Sequence, residues 1–435
     1  MKSKFIIFIP TDTREATANS FNKVAGIPLF LRSILSLNQT GVGAFTIVAP
    51  LSHRRHLLKL WQKTVKNRNI HLNLVLVKDG HRLSADELAE LKEKVEPSAF
   101  FINANYILPG IASTLKNFMS CRINAHEIYT LKPASKKSAI VGFSAQNLDE
   151  MAVKTKSYPL TIEEFLNELT AGKNRHYVPL ADEGIIVQKF SEIKIAEKML
   201  TEDIRKKTPM FVARELNKRI SLPLSLILAK MRITPNTITV INIFIGLSAG
   251  IGAAGRTYQG VLLGAILFQL ASIIDGCDGE VAKLTFRTSK FGQYIDSLSD
   301  NLSLAAFLTG MMIHEYRITG SYASFAWGGA LILGALAIIL IMSAYLGKYT
   351  DSASFVTYDR EFLQKLSPER TPRIVQFLLK YFKMLFKKDL FSFMILIFAL
   401  FGVLNWWFYI MTVGVVVGAG LLGYLGLDPE RYRKV

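Results

Sequence analysis

The amino-acid sequence predicts an α/β domain followed by an all-α membrane domain, and three observations support this prediction. Strand-like and helix-like apolar segments alternate through residues 5–102. Charged residues, 20% of the 435-residue chain, crowd into its first half and a few later patches. After residue 236 come several apolar runs of roughly 20 residues, long enough to cross a bilayer core about 30 Å thick. We therefore expect one domain at 1–206 and another at 207–435, and we exclude a purely soluble, collagen-like or disordered chain.

The first domain is predicted to be a mostly parallel sheet with helices on both faces. Strands alternating with helices favour this arrangement, in which ligands bind at the carboxyl ends of the strands. The predicted strands are 5–9, 45–48, 72–77 and 99–102, and the predicted helices are 28–37, 53–66 and 85–95.

The second domain is predicted to contain about six transmembrane helices. A polar helix at 193–207 precedes it, and a basic amphipathic segment at 211–231 is expected to lie in the membrane interface or, alternatively, to be a soluble linker helix. The predicted spans are 237–254, 258–281, 292–313, 324–347, 389–404 and 406–427.

Charge predicts the orientation of these spans. The connections 283–290 and 348–388 are rich in Lys and Arg, which places them, and both termini, on the cytoplasmic side of a multi-pass membrane protein. We expect the cytoplasmic membrane. The formal net charge of +18 fits this topology, an anionic membrane surface or phosphate-rich substrates, and no nucleic-acid partner is expected. Two cysteines are too few for a cysteine-based zinc site.

Four aspartates lie inside two of the predicted spans, where carboxylates are costly and usually functional. Asp275 and Asp278 are three residues apart, and Gly279 and Ala282 follow on the same face of a helix. Small residues on that face let another backbone or a ligand approach closely.

The next predicted span repeats the pattern. Gly292, Asp296 and Asp300 recur at intervals of four, again on one helical face. A short basic turn joins the two spans, so they can lie antiparallel. The two acidic faces can then meet at the cytoplasmic end.

Four ionised carboxylates this close would repel one another strongly, so either some are protonated or cations lie between them. All-oxygen ligands select hard cations, so we expect Mg²⁺ or Mn²⁺, with Ca²⁺ also compatible, rather than zinc. Two ions about 3.5–4 Å apart would form the clamp used in phosphoryl displacement. The alternatives are a proton or sodium pathway, or acids that merely pair with Lys283, Arg287 and Lys290.

The motif around these acids resembles the signature of the CDP-alcohol phosphotransferases, or phosphatidyltransferases. The eight-residue spacer between Lys283 and Gly292 also matches, and the resemblance covers the chain from about Arg214 onward. Lys283 is the one departure, since the family usually has Arg there; Lys keeps the charge but loses the bidentate fork for phosphate. The residues that carry the resemblance are Asp275, Asp278, Gly279, Ala282, Lys283, Gly292, Asp296 and Asp300.

The resemblance implies attack by an alcohol on the β-phosphorus of a CDP-alcohol, with release of CMP. Asp275, Asp278 and Asp296 would hold two metal ions and the CDP pyrophosphate, and Asp300 would be the general base, also near a metal. Family members are commonly homodimers, so a homodimer is expected here. The residues implied to bind CDP are Asn236, Thr239, Asp275, Gly279, Ala282, Lys283 and Gly292.

The first domain resembles sugar-nucleotide and inositol-phosphate cytidylyltransferases. The segment 23–29, Lys-Val-Ala-Gly-Ile-Pro-Leu, and the helix segment 195–198 carry this resemblance. With 214–221, the fusion is similar to bifunctional inositol-phosphate cytidylyltransferase and di-inositol-phosphate-phosphate synthase chains.

Parts of a nucleotidyl-transfer site are nevertheless missing from this domain. A Gly-rich phosphate loop should follow the first strand, but residues 10–15 there are Pro-Thr-Asp-Thr-Arg-Glu. A metal-binding Asp should end the fourth strand, but the chain has Asn103-Ala-Asn105 at that position. We therefore predict a degenerate, inactive domain that supports, docks or regulates. Asp12 is the one residue nearby that could restore a metal site.

The leading hypothesis is an integral-membrane CDP-alcohol phosphotransferase of phospholipid or polar-headgroup biosynthesis. Its donor is CDP-diacylglycerol or a CDP-polyol, with the lipid favoured because the first domain looks unable to supply a soluble donor. Its acceptor is an inositol phosphate or another polyol. The basic residues assigned to the acceptor phosphate, unless they contact anionic lipid instead, are Arg214, Lys218, Arg219 and Arg360.

Three other hypotheses stay open. The chain could be a bifunctional enzyme whose first domain makes the CDP-alcohol from CTP. It could be a cation or proton transporter built on the four acids. It could also be a non-enzymatic membrane anchor for a nucleotide-binding domain, which would tolerate substitution of Asp275 or Asp296.

Overall fold

A computed structural model describes residues 2–10, 14–65, 69–78, 82–107, 127–131, 140–158, 160–170, 174–178, 184–349 and 388–427. The chain divides into two compact units. Unit 1 is Met1–Lys207 with Leu226–Arg232 and Leu284–Phe286, and unit 2 is Thr208–Ser225, Ile233–Lys283 and Arg287–Val435. Asp12 and Arg360 lie outside the described residues.

Every strand among the described residues belongs to unit 1. Those found in the described ranges are β1 (Ser3–Phe8), β2 (Lys23–Val24), β3 (Ile27–Pro28), β4 (Ala44–Pro50), β5 (His71–Val77), β6 (Arg82–Leu83), β7 (Val95–Asn103), β8 (Tyr106–Ile107), β9 (Glu127–Leu131), β10 (Ile140–Ser144), β11 (Leu160–Thr161), β12 (Asn174–Val178) and β13 (Ile185–Ile186).

The largest sheet that these strands form has the order β12-β9-β10-β7-β1-β4-β5. Strand β1 pairs in parallel with β4 and β7, β4 with β5, and β9 with β12. Strand β10 is antiparallel to both of its neighbours. The prediction of a mostly parallel sheet is therefore confirmed, and the four predicted strands are β1, β4, β5 and β7.

Successive side chains of a strand point to opposite faces of the sheet, and both faces are buried here. On β1, Phe5 and Ile7 belong to one apolar core, and Ile6 and Phe8 belong to another. The helices of unit 1 cover these faces. They are α1 (Arg14–Phe21), α2 (Leu29–Asn38), α3 (Arg54–Val65), α4 (Ala85–Lys94), α5 (Ala145–Ser157), α6 (Ile162–Thr170) and α7 (Glu192–Lys206).

The remaining helices follow a π-helical turn, Ala213–Asn217. Each predicted span and the predicted amphipathic segment coincide with a helix. In chain order they are α8 (Lys218–Lys230), α9 (Pro235–Ala253), α10 (Tyr258–Thr285), α11 (Lys290–Thr319), α12 (Ala323–Tyr349), α13 (Lys388–Leu400) and α14 (Leu404–Leu427).

Four helices of the described ranges are long and apolar enough to cross a membrane, namely α9, α10, α12 and α14. The other two predicted spans differ in their physical character. Helix α11 has 30 residues but carries Asp296 and Asp300, and α13 has only 13 residues. The break between α13 and α14 lies at Gly402, whose φ of 71° favours glycine, a few residues before the predicted boundary between 404 and 406.

Small residues bring α9 close to α10 and α11. A Cβ on Gly250 would lie 2.5 Å from the carbonyl oxygen of Ala306, and one on Gly264 would lie 2.3 Å from the amide nitrogen of Ala253. Such distances are below normal contact, so the glycines permit this approach. The resulting alignment determines which polar residues of the three helices meet at their other end.

Candidate active site on three helices

The four predicted aspartates lie in unit 2, and the two on α10 contact α9. Thr239 of α9 donates a hydrogen bond from Oγ1 to Oδ2 of Asp278. One helical turn further along α9, the side-chain amide of Asn242 donates to Oδ1 of Asp275 at 3.3 Å. Asn242 is fully buried, so α9 supplies buried polar partners to both acids of α10.

Three of the four acids converge. Asp275, Asp296 and Asp300 each offer a carboxylate oxygen, and these oxygens lie within 4.8 Å of one another. We call these three residues the acid cluster. Asp278 is 94% buried beside Thr239 and stays outside the cluster. Helical spacing therefore places Asp275 and the two acids of α11 together across the α10–α11 pair.

The acid cluster fits a hard divalent cation. Its donors are all carboxylate oxygens, the ligands that Mg²⁺, Mn²⁺ and Ca²⁺ prefer. A cation already lies against it, since Nζ of Lys388 is 3.0 Å from Oδ1 of Asp275 and also contacts Asp300. The cluster thus attracts positive charge, as closely spaced carboxylates must.

A pocket lies beside the acid cluster, at the ends of α9, α10 and α11. The amino end of α9 and the carboxyl end of α10 form two of its walls, and the turn into α11 forms the third. Asp296 belongs both to this pocket and to the acid cluster. The lining residues are Pro235, Asn236, Thr239, Asp278, Gly279, Ala282, Lys283, Arg287, Thr288, Ser289, Gly292, Gln293 and Asp296.

Six of the seven residues predicted to bind CDP line this pocket, and the seventh, Asp275, lies in the acid cluster. Sequence reasoning did not assign Arg287, Ser289 or Gln293 to it. Arg287 could have been found, because it stands four residues after Lys283 in the basic turn. Together Lys283 and Arg287 give the pocket two cations, which suit a phosphorylated ligand.

Two glycines shape the pocket differently. A Cβ on Gly279 would meet no atom within 4 Å, so this position opens into the pocket. A Cβ on Gly292 would lie 3.1 Å from Oδ1 of Asn236, so that glycine lets the start of α11 approach α9. One glycine therefore leaves room for a ligand, and the other keeps the wall closed.

Of the four basic residues predicted to bind the acceptor phosphate, the three that the structure describes have acidic partners of their own. Lys218 lies 2.6 Å from the buried carboxylate of Glu280. Arg214 and Arg219 both pair with Glu215, at 3.0 and 3.3 Å. Their assignment to the acceptor remains a prediction.

Glu280 is a site residue that sequence reasoning missed. Its side chain is 99% buried and accepts hydrogen bonds from Ser221 at 2.6 Å and Ser225 at 2.7 Å, besides its contact with Lys218. A buried carboxylate with three donors is well satisfied. Its position inside the motif, two residues after Asp278, was the only available signal.

The carboxyl end of β7 in unit 1 has amides where a nucleotidyltransferase would need a carboxylate. The hydroxyl of Ser20 donates to Oδ1 of Asn105 at 2.6 Å, and the backbone N–H of Asn105 donates to Oδ1 of Asn103 at 2.8 Å. Burial raises the pKa of the neighbouring Tyr106 to about 12, so its phenol stays neutral. Asn103, Asn105 and Tyr106 therefore supply no charged metal ligand.

Comparison with known proteins identifies the part of the chain that carries the acids. Residues 232–419 match the model of the family described as CDP-alcohol phosphatidyltransferase. This region is a CDP-alcohol phosphatidyltransferase domain. The family predicted from the aspartate signature is therefore confirmed for this region, which contains all four acids and every residue lining the pocket.

Two relatives of this chain carry the name "Bifunctional IPC transferase and DIPP synthase". The one from Aquifex aeolicus is 33% identical over 177 residues, which is 40% of each chain. The one from Thermococcus kodakarensis is 42% identical over 118 residues, or 27% of this chain and 26% of that relative. The matches to these relatives thus span less than half of their length.

Another relative of this chain is shorter. It is the "Archaetidylinositol phosphate synthase" of Pyrococcus horikoshii, 33% identical over 102 residues, or 23% of this chain and 53% of that one. Among solved structures, the inositol-1-phosphate CTP transferase from T. maritima has a TM-score of 0.35 at 12% identity, over 48% of this chain and 99% of that chain.

Proposed function

We propose that this chain is an integral-membrane transferase that moves a substituted phosphate group from a CDP-alcohol to the hydroxyl of a second alcohol, releasing CMP. One observation carries the proposal: Asp296 joins the acid cluster to a pocket with two cations in the CDP-alcohol phosphatidyltransferase domain. A site for metal beside a site for phosphates is what transfer of a phosphate group needs.

The acid cluster would hold the divalent ions, with Asp278 as the fourth acid. Asp278 and Asp296 both line the pocket, so a pyrophosphate bound there would lie close to them. When bound, Mg²⁺ or Mn²⁺ would neutralise negative charge on the pyrophosphate and on the leaving CMP.

The pocket would hold the CDP group. Asn236 and Thr239 supply polar atoms for the cytidine, and Lys283 and Arg287 supply positive charge for the phosphates. Gly279 leaves room for the nucleotide because a side chain there would project into the pocket.

Asp300 is the proposed general base. Its side chain is 38% exposed, against 20% for Asp275, so an incoming alcohol can reach it more easily. An alcohol is a weak nucleophile near neutral pH, and a carboxylate within hydrogen-bond distance of the hydroxyl would take its proton as the new bond to phosphorus forms.

A donor and acceptor screen tests this proposal. The purified full-length chain would be incubated in detergent with Mg²⁺ or Mn²⁺, an inositol phosphate, and either CDP-diacylglycerol or CDP-inositol, with products identified by mass. We expect CMP and a phosphodiester from one donor, and no product from the Asp300→Asn variant. Absence of CMP with every donor and acceptor would refute the proposal, and metal transport without turnover would support the transporter.

The name of one relative supports a proposal for the acceptor. The name of the Pyrococcus horikoshii protein includes inositol phosphate, so we propose an inositol phosphate as the acceptor. The lipid arm and the polyol arm of the screen separate a phospholipid product from a soluble phosphodiester.

A bifunctional enzyme is the second candidate. The names of the Aquifex aeolicus and Thermococcus kodakarensis relatives state two activities for one chain, and unit 1 has a mostly parallel sheet able to support a nucleotide site. Pyrophosphate release by the full-length chain with CTP and an inositol phosphate tests it. The Asp300→Asn variant serves as the control, because it should block only the second reaction. Since Asn103 and Asn105 replace the expected carboxylate, we expect no pyrophosphate.

We further propose that the chain lies in the cytoplasmic membrane as a homodimer with both termini inside. The basic connection at 283–290 supports the orientation, and the four apolar helices support membrane insertion. Light scattering of the detergent-solubilised chain should give twice the mass of one chain, 48.7 kDa, after subtraction of bound detergent. A single-chain mass would contradict the dimer.

A further inference from the structure

Lys388 lies where a metal ion would be expected. It is the first residue of α13, and its Nζ contacts two members of the acid cluster, Asp275 at 3.0 Å and Asp300. Its side chain is only 23% exposed, so most of the ammonium has left water for these carboxylates. Two of the three proposed metal ligands are therefore occupied by a cation that belongs to the chain itself.

The acid cluster accounts for the position of the Lys388 ammonium, because two of its carboxylates lie against Nζ and closely spaced carboxylates attract a cation.

A buried network of hydrogen bonds holds Asp389 of α13 in place. The side-chain amide of Asn217 donates to Oδ1 of Asp389 at 2.6 Å, and Gln269 of α10 donates to Oδ1 of Asn217 at 3.0 Å. Asn217 and Gln269 are both more than 90% buried. Because Lys388 is adjacent to Asp389, this network keeps the backbone of the lysine within reach of the acids.

We propose that Lys388 is an internal counter-cation that neutralises the acid cluster when no metal is bound and competes with the divalent ion for it. The inference rests on the proposed metal site. A divalent cation and an ammonium on the same carboxylates would repel each other, so the metal must displace Lys388. The affinity for metal is then lower than the acids alone would give.

Direct titration with Mn²⁺ tests this competition without measuring activity. Free Mn²⁺ would be followed by electron paramagnetic resonance with the purified full-length chain in detergent. Lys388→Met should lower the Mn²⁺ dissociation constant by about tenfold, which corresponds to about 1.4 kcal/mol. Lys388→Arg keeps the charge and should bind like the wild type. Lys290→Met, which removes one exposed charge at the start of α11, is the matched control and should also bind like the wild type.

The possible outcomes separate this inference from the proposed function. Unchanged or weaker Mn²⁺ binding by Lys388→Met, with normal binding by the wild type, would overturn the competition but leave the metal site intact. Failure of every variant and the wild type to bind Mn²⁺ would overturn both. If the methionine variant does not fold, Lys388→Gln gives the same test, because it keeps a hydrogen-bonding group and loses the charge.

Discussion

At the scale of single residues, two glycines shape the pocket in different ways. Gly279 faces open space in the pocket, and Gly292 faces Asn236 across the α9–α11 contact. The same substitution should therefore act on the ligand at the first position and on the protein at the second. This difference separates a binding role from a packing role.

Gly279→Ala should not lower the melting temperature, because the new methyl group meets no atom of a neighbouring element within 4 Å and alanine favours the helix. The KM for the CDP-alcohol should rise by about tenfold, or about 1.4 kcal/mol, because the methyl group projects into the proposed CDP site. Steady-state kinetics and a thermal melt measure the two effects. A lower melting temperature with an unchanged KM would contradict the proposed position of the nucleotide.

The acids could be predicted from sequence because helical periodicity relates residues three and four apart. The partners of these acids could not. Lys388 is 88 positions away from Asp300, and Asn242 is 33 positions away from Asp275. Such contacts depend on how α9, α10, α11 and α13 pack, and spacing within one helix gives no information about that packing.

At the scale of the helices, close packing of α9 against α11 holds the site together. Gly250→Val should destabilise the chain by about 1–3 kcal/mol, because its Cβ would lie 2.5 Å from the backbone of Ala306 and the helices would have to separate. Activity should fall with stability. Gly329→Val is the control, since a Cβ there meets nothing within 4 Å. Equal melting temperatures for the two variants would contradict this account of the packing.

Lys218 allows a test between a structural and a functional role. Because Glu280 is 99% buried, Lys218→Met would leave its carboxylate without a countercharge. We expect a loss of about 3 kcal/mol in stability with little change in the KM for the acceptor. A stable variant with a raised acceptor KM would instead support the predicted acceptor role, and Arg219→Met, at an exposed position, gives the comparison.

The helices were more predictable than the sheet. Long apolar runs predict α9, α10, α12 and α14 within a few residues, because length and composition suffice for a helix in a membrane. The strands β9, β10 and β12 were missed, since polar residues leave β9 and β12 with little apolar pattern and a glycine interrupts the short apolar run of β10. The antiparallel direction of β10 also could not be read from the alternation of segments.

At the scale of the whole molecule, the two units carry different functional groups. Unit 2 contains the acid cluster, the pocket and the helices long enough to cross a membrane. Unit 1 contains a mostly parallel sheet whose β7 ends in amides where a nucleotidyltransferase would need a carboxylate. The chemistry of the chain should therefore reside in unit 2.

Metal-dependent CMP release is the most direct measurement of the central claim, that the acid cluster and the pocket together transfer a phosphate group. The wild-type chain should release CMP from a CDP-alcohol only with Mg²⁺ or Mn²⁺, and EDTA should abolish the reaction. Asp296→Asn, which changes the residue shared by cluster and pocket, should lose nearly all activity, while the control Glu202→Gln, a half-exposed acid of α7, should keep it. Metal-independent CMP release, or full activity of Asp296→Asn, would contradict the account.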